Sequence, residues 1–230
     1  MLKKQLIQFT NINEWLEETI PTPATKIIPE WYRKMPTRHN NDFSNANSIT
    51  IKKCLPVFDA LTAGYILSTP CDIYVKQEDG EPSYLPTMDI LSAHPAKQLF
   101  MNPNGNMFKV PKLMNGWGIK TPKGYSTLFI PPMHNPNPWF EVLPGIVDTD
   151  ILTEPVNFPF MLKDKKFEGL IPCGTPFIQI IPFKRDVWKV AVGGPQDKLE
   201  TIEENKKITR YAWDRYKKLG RVVKQWNSQE

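Results

Sequence analysis

The sequence predicts a single domain built mainly of β-strands, with an extended N-terminal arm and a C-terminal amphipathic helix. Its 23 prolines in 230 residues are spread along the chain and disfavour long helices. Apolar runs at 126–130, 156–160 and 177–183 are each bounded by turn residues, which predicts three paired strands of one closed or nearly closed sheet. The hydrophobic content of 40% is enough for one substantial core.

Proline, glycine and asparagine clusters divide the chain into three parts. Residues 1–48 are predicted to form an arm and loop, with a short helix over 11–18 and a polar surface loop over 37–48. Residues 49–195 are predicted to form the β domain. The helix of 196–230, packed on that domain, follows Gly193, Gly194 and Pro195.

Within the β domain, strands are expected at 49–55, 57–67 and 72–76, and a turn at 80–86. The stretch 85–116 is rich in turn residues and too long for an ordinary connection, so it is interpreted as a lid or an insertion.

The cysteine content and the lack of long apolar runs indicate an intracellular protein. Cys54, Cys71 and Cys173 are odd in number and include no C-x-x-C pair, which fits a reducing compartment. No run approaches the ~20 apolar residues of a membrane span, and residues 1–12 lack a signal-peptide core. We therefore expect a soluble, cytoplasmic protein with no membrane partner.

Positive charge is concentrated between residues 206 and 226, a stretch that contains eight basic residues and one acidic residue. Apolar residues recur there at intervals of three and four, from Ile208 to Trp226, as in an amphipathic helix. One interpretation is a helix docked on the sheet with a solvated basic face. The alternative is a nucleic-acid surface, which would use Lys217, Lys218, Arg221 and Lys224. Of the two, docking is preferred.

Three short signals follow one another between residues 119 and 183. The first, Pro122-x-Gly124-Tyr125, is a tight turn that leads into a strand. The second, Gly-Ile-Val-Asp-Thr-Asp, ends on Asp148 and Asp150, whose carboxylates point to one face of an extended backbone. The third is a turn and strand at 173–181. Two acids on one face repel unless something holds them, so the pair marks a candidate site; the alternative is a turn in which one carboxylate caps backbone N–H groups.

The order of these signals resembles the dUTPase and dCTP deaminase superfamily. The resemblance is carried by residues 119–125, the prolines at 131–132 and residues 145–150, 167–174 and 178–180. The element Thr-Ala-Gly-Tyr-Ile-Leu at 62–67 is similar to the superfamily's Ser-Ala-Gly-x-Asp-Leu. Over about residues 56–183 the resemblance implies a β-clip, which is a small jelly-roll-like barrel, and a homo-oligomer, a trimer if superfamily-like.

The whole chain also resembles an uncharacterised family of bacterial and tailed-phage proteins that shares Pro-Gly-Ile-Val-Asp-x-Asp. That resemblance implies a protein of the bacterial or phage-infected cell, or of the virion.

Residue by residue, the superfamily resemblance transfers little of the catalytic set. It implies that Asp148 is the acid that activates the attacking water and Gln179 the glutamine of the closing strand. The phosphate-binding Arg-Ser-Gly is replaced by residues 133–136, Met-His-Asn-Pro, the aromatic after the second acid is Ile151, and the opening Asp is Ile66. Because the chemistry needs metal, phosphate contacts and water held together, we predict no useful hydrolysis of dUTP.

The three histidines lack the spacing of metal ligands, and each falls in a predicted turn. His94 and His134 could still converge in space with Asp148 or Asp150. The predicted ligand-binding residues are Asp148, Asp150, His134, Tyr125 and Gln179, and no metal site is predicted.

Two functions remain open from the sequence. The preferred one is a non-enzymatic module, without a cofactor, that binds a small ligand or a protein partner through loops around Trp31, Trp117 and Trp139, as a viral structural or host-interaction component would. The alternative is a nucleotide hydrolase of the dUTPase-like superfamily, with Asp148 as catalytic residue and Mg²⁺ as its cofactor.

Overall fold

A computed structural model of the chain describes residues 5–12, 19–40, 47–95, 109–209 and 221–227. The described residues form sixteen strands and three helices, so this part of the chain is mainly β, as predicted. The elements up to residue 95 are β1 Gln8–Asn11, β2 Thr22–Pro23, α1 Glu30–Lys34, β3 Arg38–Asn40, β4 Asn47–Ile49, α2 Leu55–Leu61, β5 Tyr65–Ser68, β6 Ile73–Glu78, β7 Glu81–Pro86 and β8 Leu91–Pro95. The later elements are β9 Lys109–Leu113, β10 Trp117–Lys120, β11 Tyr125–Ile130, β12 Phe140–Val142, β13 Gly145–Val147, β14 Phe158–Leu162, β15 Gly169–Ile171, β16 Pro176–Lys184 and α3 Pro195–Thr209.

These strands form several antiparallel sheets. The largest has the order β13-β11-β16-β5-β2, and a four-stranded sheet has the order β12-β14-β9-β8. The smaller sheets are β15-β6-β7, β1-β10 and β3-β4. Two of the three strands predicted to share a sheet are β11 and β16, which pair along six residues. The third, β14, begins at Phe158 and pairs with β9 and β12 instead, so the prediction of one closed sheet is wrong for the described strands.

The core lies between the two larger sheets and is rich in phenylalanine. Phe129 of β11 and Phe177 of β16 both contact Phe158 of β14, with ring centroids 5.4 and 5.7 Å apart. Phe140 and Phe160 extend the same cluster from β12 and β14. Tilted and edge-on ring pairs at these distances stabilise the core beyond the effect of the apolar area that they bury. Alternate residues of the strands therefore join the two sheets.

Residues 49–67, predicted as β structure, contain a helix. A 3-10 turn over Ile51–Lys53 leads into α2, where Pro56 lies in the first turn, the position that proline tolerates best in a helix. Gly64 then reverses the chain into β5 with φ of +66°, and a Cβ there would lie 2.0 Å from the backbone oxygen of Ile180. Only glycine fits this close approach.

The arm is more ordered than predicted where the structure describes it. Residue 11, the predicted start of a helix, ends β1, which pairs with β10, and residues 13–18 lie outside the described part. β2 pairs with β5, and the predicted boundary between residues 48 and 49 falls inside β4. The predicted polar loop contains the β3–β4 ladder, with residues 41–46 outside the described part.

The region 80–116, predicted to be turns and irregular chain, is largely β structure. β7 pairs with β6, and β8 pairs with β9 over five residues, while residues 96–108 lie outside the described part. Pro82, Pro86 and Pro95, which led to the prediction of turns, lie in β7 and β8. Both are edge strands of their sheets, where a missing N–H donor is tolerated.

The chain divides into two compact units, residues 1–185 with 226–230, and residues 186–225. In the second unit α3 begins at Pro195, one residue before the predicted start, and the Asp197 carboxylate accepts the Gly194 N–H at 2.6 Å. Residues 210–220 lie outside the described part, and with them Lys217, Lys218 and most of the predicted apolar stripe.

The predicted helix does not extend over residues 221–227, which have no helical structure. Residue 226 belongs to the first unit, where the Trp226 ring packs edge-on against Tyr65 with centroids 6.1 Å apart. Val223, another member of the predicted stripe, is exposed. None of the described helices is long and apolar enough to cross a membrane.

Candidate functional site

The two predicted acids lie where three strands of the largest sheet end together. β13 and β16 flank β11 on either side, so the end of β13, the start of β11 and the end of β16 share one edge. Asp148 directly follows β13, and its carbonyl oxygen accepts the N–H groups of Ile151 and Leu152, both at 2.9 Å. This turn directs both carboxylates toward the start of β11 and toward Arg185, the residue after β16.

Asp150 is held by an ion pair and a backbone hydrogen bond. Its Oδ1 and Oδ2 accept Arg185 Nη1 and Nη2 at 2.8 and 2.6 Å, and Oδ2 also accepts the Gly124 N–H at 2.7 Å. Its side chain is only 4% exposed. The hydrogen bonds from Arg185 and then Gly124 lower the pKa of this carboxyl from 3.8 to about 2. Asp150 thereby caps the Pro-x-Gly turn, in which Gly124 has φ of +87°.

Asp148 shares the same guanidinium but is more open, with 54% of its side chain exposed. Its Oδ1 accepts the Ser126 hydroxyl at 2.6 Å and lies 3.1 Å from Arg185 Nη1. Arg185 Nη1 also donates to the carbonyl oxygen of Tyr125 and to Ser126 Oγ, each at 3.1 Å. One arginine therefore resolves the repulsion that the two acids would otherwise have.

A chain of buried hydroxyls lies beneath the acid pair. Thr149, between the two acids in sequence, is fully buried. Its Oγ1 lies 2.8 Å from Thr121 Oγ1 and 2.7 Å from Thr127 Oγ1. These hydrogen bonds fix the turn of residues 148–151 against β11. We refer to Asp148, Asp150, Arg185 and Ser126 as the acid–arginine cluster.

Sequence reasoning missed Arg185 and the threonines. Arg185 is one cation among several near the end of the closing strand. Nothing in its local pattern marks it as the partner of two acids that lie 35 and 37 residues earlier in the sequence. The threonines follow no motif either. Only the pairing of β11 with both β13 and β16 brings them together.

Gln179 has a different position and a complete set of partners. It is fully buried on β16; its Nε2 donates to the carbonyl oxygens of Ala60 and Ala63 at 3.0 and 2.6 Å, and its Oε1 accepts the Met133 N–H at 2.8 Å. The side chain joins the closing strand to the end of α2 and to the turn after β11. In this structure its polar atoms serve the fold.

His134 follows Met133, whose N–H is bound by Gln179, and has a left-handed backbone with φ of +57°. Its carbonyl oxygen accepts the Trp31 indole N–H at 3.0 Å, whereas its imidazole is on an exposed residue. A continuous path therefore runs from Gln179 through Met133 and His134 to Trp31. Non-glycine residues in this conformation store strain and occur often near functional sites.

The predicted site residues thus form two groups rather than one. Asp148, Asp150 and Tyr125 lie at the start of β11, and Gln179 pairs with Ile130 at its other end. With a rise of ~3.3 Å per residue, the two ends are roughly 15 Å apart. His134 does not converge with the acids. In the ranges that the structure describes, no group of three or more His, Cys, Asp or Glu side chains could hold a metal ion.

A shallow groove of about 460 Å³ lies beside Trp31. Trp31 is 41% exposed, and its ring packs edge-on against the buried Tyr32 with centroids 5.5 Å apart. Of the three predicted aromatic loops, those of Trp117 and Trp139 pack in or against the core. The groove is lined by Trp31, Lys34, Met35, Pro36, His39, Thr50 and Ile51.

The sequence matches no protein-family model, and no curated protein is significantly similar to it.

Proposed function

We propose that this protein is a non-enzymatic binding protein that holds a partner in the groove beside Trp31. The observation that carries the proposal is the state of Trp31: a large aromatic side chain, partly exposed, fixed by its hydrogen bond to His134. Aromatic residues held rigidly at the surface are the most frequent energetic anchors of interfaces, because little side-chain entropy is lost on binding. The apolar walls formed by Met35, Pro36 and Ile51 give a partner side chain a place to be buried.

The acid–arginine cluster supports a structural role for the two acids. A general base works best when its pKa lies near the working pH, and the pKa of Asp150, about 2, is far below that range, so Asp150 is a poor general base. Both oxygens of Asp150 accept hydrogen bonds from Arg185, and Oδ2 also accepts one from Gly124. For Asp148 to activate a water molecule, its contacts with Ser126 and Arg185 would have to rearrange.

The alternative function is a nucleotide hydrolase centred on Asp148. Its half-exposed side chain, at the position that the superfamily resemblance assigns to the water-activating acid, is the observation that favours it. Mg²⁺ would be the cofactor, but the residues present do not fit the ion well. Mg²⁺ prefers several oxygen ligands, whereas a guanidinium lies 3.1 Å from Asp148 and occupies both oxygens of Asp150.

The finer fold and the biological setting are part of the proposal. A β-clip arrangement is supported by the antiparallel pairing of β11 with β13 and β16, which joins the three signals on which the resemblance rests. A partner-binding role suits a structural or host-interaction component encoded by a tailed phage, which the whole-chain resemblance implies.

A thermal-shift screen of short peptides, oligonucleotides and nucleotides, with and without Mg²⁺, tests the proposal. Each ligand that stabilises the wild type is measured again with Trp31→Ala and with Asp148→Asn. We expect stabilising ligands to lose their effect with Trp31→Ala and to keep it with Asp148→Asn. Stabilisation by nucleotide and Mg²⁺ that disappears with Asp148→Asn, together with pyrophosphate release, would favour the hydrolase instead.

A further inference from the structure

The elements that form the Trp31 groove carry an excess of positive charge. Arg33 and Lys34 lie on α1, and Arg38 lies on β3. Lys52 and Lys53 belong to the 3-10 turn next to the groove residue Ile51, and the Lys52 ammonium donates to the carbonyl oxygen of Arg33 at 2.6 Å.

Little negative charge balances these cations. Glu30 is the single acidic residue in the described ranges 19–40 and 47–53, and it already pairs with Lys34 at 2.7 Å. An apolar groove with a basic surround is complementary to a partner that offers an apolar anchor flanked by acidic groups.

The groove also adjoins backbone that can accept another strand. Among the described strands, β3 and β4 pair only with each other, so each has one edge with no strand beside it. Arg38 and His39 of β3 and Ser48 and Ile49 of β4 are all exposed. An extended peptide can add to such an edge through main-chain hydrogen bonds, while alternate side chains enter neighbouring pockets.

From this juxtaposition we propose that the groove binds an extended, acidic segment of a protein whose apolar side chain packs on Trp31. This inference rests on the proposed function and names its partner class. The anchor would lie between Trp31, Met35 and Ile51, and the flanking carboxylates would face Lys34, which lines the groove, and the neighbouring Arg38. Exposed side chains of one sign steer such a segment, so binding is salt-dependent.

A peptide fits the groove better than single-stranded nucleic acid does. Proteins that bind single strands stack successive bases on successive aromatic faces. This groove offers one large aromatic face, that of Trp31, and one imidazole, that of His39, while Met35, Pro36 and Ile51 are apolar without an aromatic ring. An aliphatic or aromatic side chain of a peptide would bury apolar area against Met35, Pro36 and Ile51, which is favourable. The side chains of these three residues offer no hydrogen bonds to the edge of a base.

Fluorescence anisotropy with three labelled probes tests the proposal on the full chain. The probes are a peptide of five Glu-Leu repeats, a peptide of five Lys-Leu repeats and a twelve-nucleotide oligo-dT. We expect the acidic peptide to bind most tightly, and raising the salt to weaken it. Trp31→Ala should reduce its affinity at least about tenfold, and the double variant Lys34→Gln/Arg38→Gln about three- to tenfold at low salt.

Matched variants separate binding from folding. Trp188→Ala removes an exposed tryptophan that is not among the residues lining the groove, and Lys76→Gln/Lys123→Gln removes two exposed cations of β6 and of the turn before β11. Neither change should alter the affinity. Because Trp31→Ala could unsettle α1, Ile51→Asp provides a second test: Ile51 is exposed, and its replacement places a negative charge in the groove. It should also weaken the acidic peptide at least about tenfold.

Three results would overturn the inference: no binding of the acidic peptide, equal binding of the basic one, or tighter and Trp31-dependent binding of oligo-dT. In each case the proposed function would survive if another ligand of the thermal-shift screen depended on Trp31. It would fall as well if no ligand did.

Discussion

The side chain of Gln179 provides the most quantitative test of the fold around the groove. Gln179→Ala removes the acceptor of the Met133 N–H and the donor to the carbonyl oxygens of Ala60 and Ala63. The Ala60 oxygen keeps its bond from the Ala63 N–H at 3.3 Å. The two groups that lose their side-chain partner are therefore the Met133 N–H and the Ala63 carbonyl oxygen. Each such buried group costs about 1–3 kcal/mol, and the lost methylene about 0.8 kcal/mol. The free energy of unfolding should therefore fall by roughly 3–7 kcal/mol.

Equilibrium unfolding in urea, followed by tryptophan fluorescence, measures this change. Gln8→Ala is the matched control, because Gln8 is an exposed glutamine whose amide donates only a long bond of 3.4 Å to Thr10, and it should change stability by less than about 0.5 kcal/mol. Gln179→Leu keeps most of the buried volume and should remain strongly destabilised, because the same polar groups lose their partner. A loss below about 1 kcal/mol in both Gln179 variants would refute the reasoning.

Three further predictions concern the turns and the acid–arginine cluster. Thr149→Val leaves the Thr127 hydroxyl without the bond from Thr149 and should cost about 1–3 kcal/mol in urea unfolding; an unchanged midpoint would show that the buried hydroxyl chain does not contribute. Gly64→Ala should lower the free energy of unfolding by more than about 4 kcal/mol, because its Cβ would meet a backbone oxygen at 2.0 Å. Gly80→Ala is the control: Gly80 has φ of +81° and open space around it, so the change should cost only about 1–2 kcal/mol. Similar losses in the two variants would contradict the close approach at Gly64. Because the pKa of Asp150 is lowered in the folded protein, the stability that its carboxylate contributes is complete above pH 3.8 and is lost as the pH falls toward 2. Asp150→Asn should therefore flatten the dependence of the melting temperature on pH in that window. An unaltered dependence would count against the ion pair.

The fold class could be predicted from the sequence because its signals are local. A high proline content and short apolar runs bounded by turn residues indicate strands whatever the tertiary pairing. The strands β11, β16 and β6 accordingly lie close to their predicted positions. Which strands pair is a non-local property. The run that became β14 gave the same signal as β11 and β16, and only packing of its phenylalanines places it in another sheet.

Prolines at sheet edges misled the sequence reading in the opposite direction. Pro82 and Pro95 indicated turns, yet both lie in edge strands that need no donor on one side. Conversely, residues 57–61 suggested a strand because they form a short apolar run, but they belong to the helix α2, which has Pro56 in its first turn. Short apolar runs do not separate these two outcomes.

The site was predicted in part. The sequence indicated that the two acids share a face and need a partner, but it could not identify Arg185, because the partner comes from a strand paired through β11. It also placed Trp31 among the candidate aromatic residues without separating it from Trp117, which the structure buries. Burial depends on which face of the sheet each side chain meets.

The structural role of the two acids, held by Arg185, is what separates the binding proposal from the hydrolase alternative. Titration of the Asp150 carboxyl by NMR, in the wild type and in Arg185→Gln, tests this claim most directly. The account predicts a pKa near 2 in the wild type, because Arg185 and Gly124 donate to the carboxylate, and a higher pKa in the variant. A wild-type pKa at or above 3.8, unchanged by Arg185→Gln, would contradict it and return the acid pair to candidacy for catalysis.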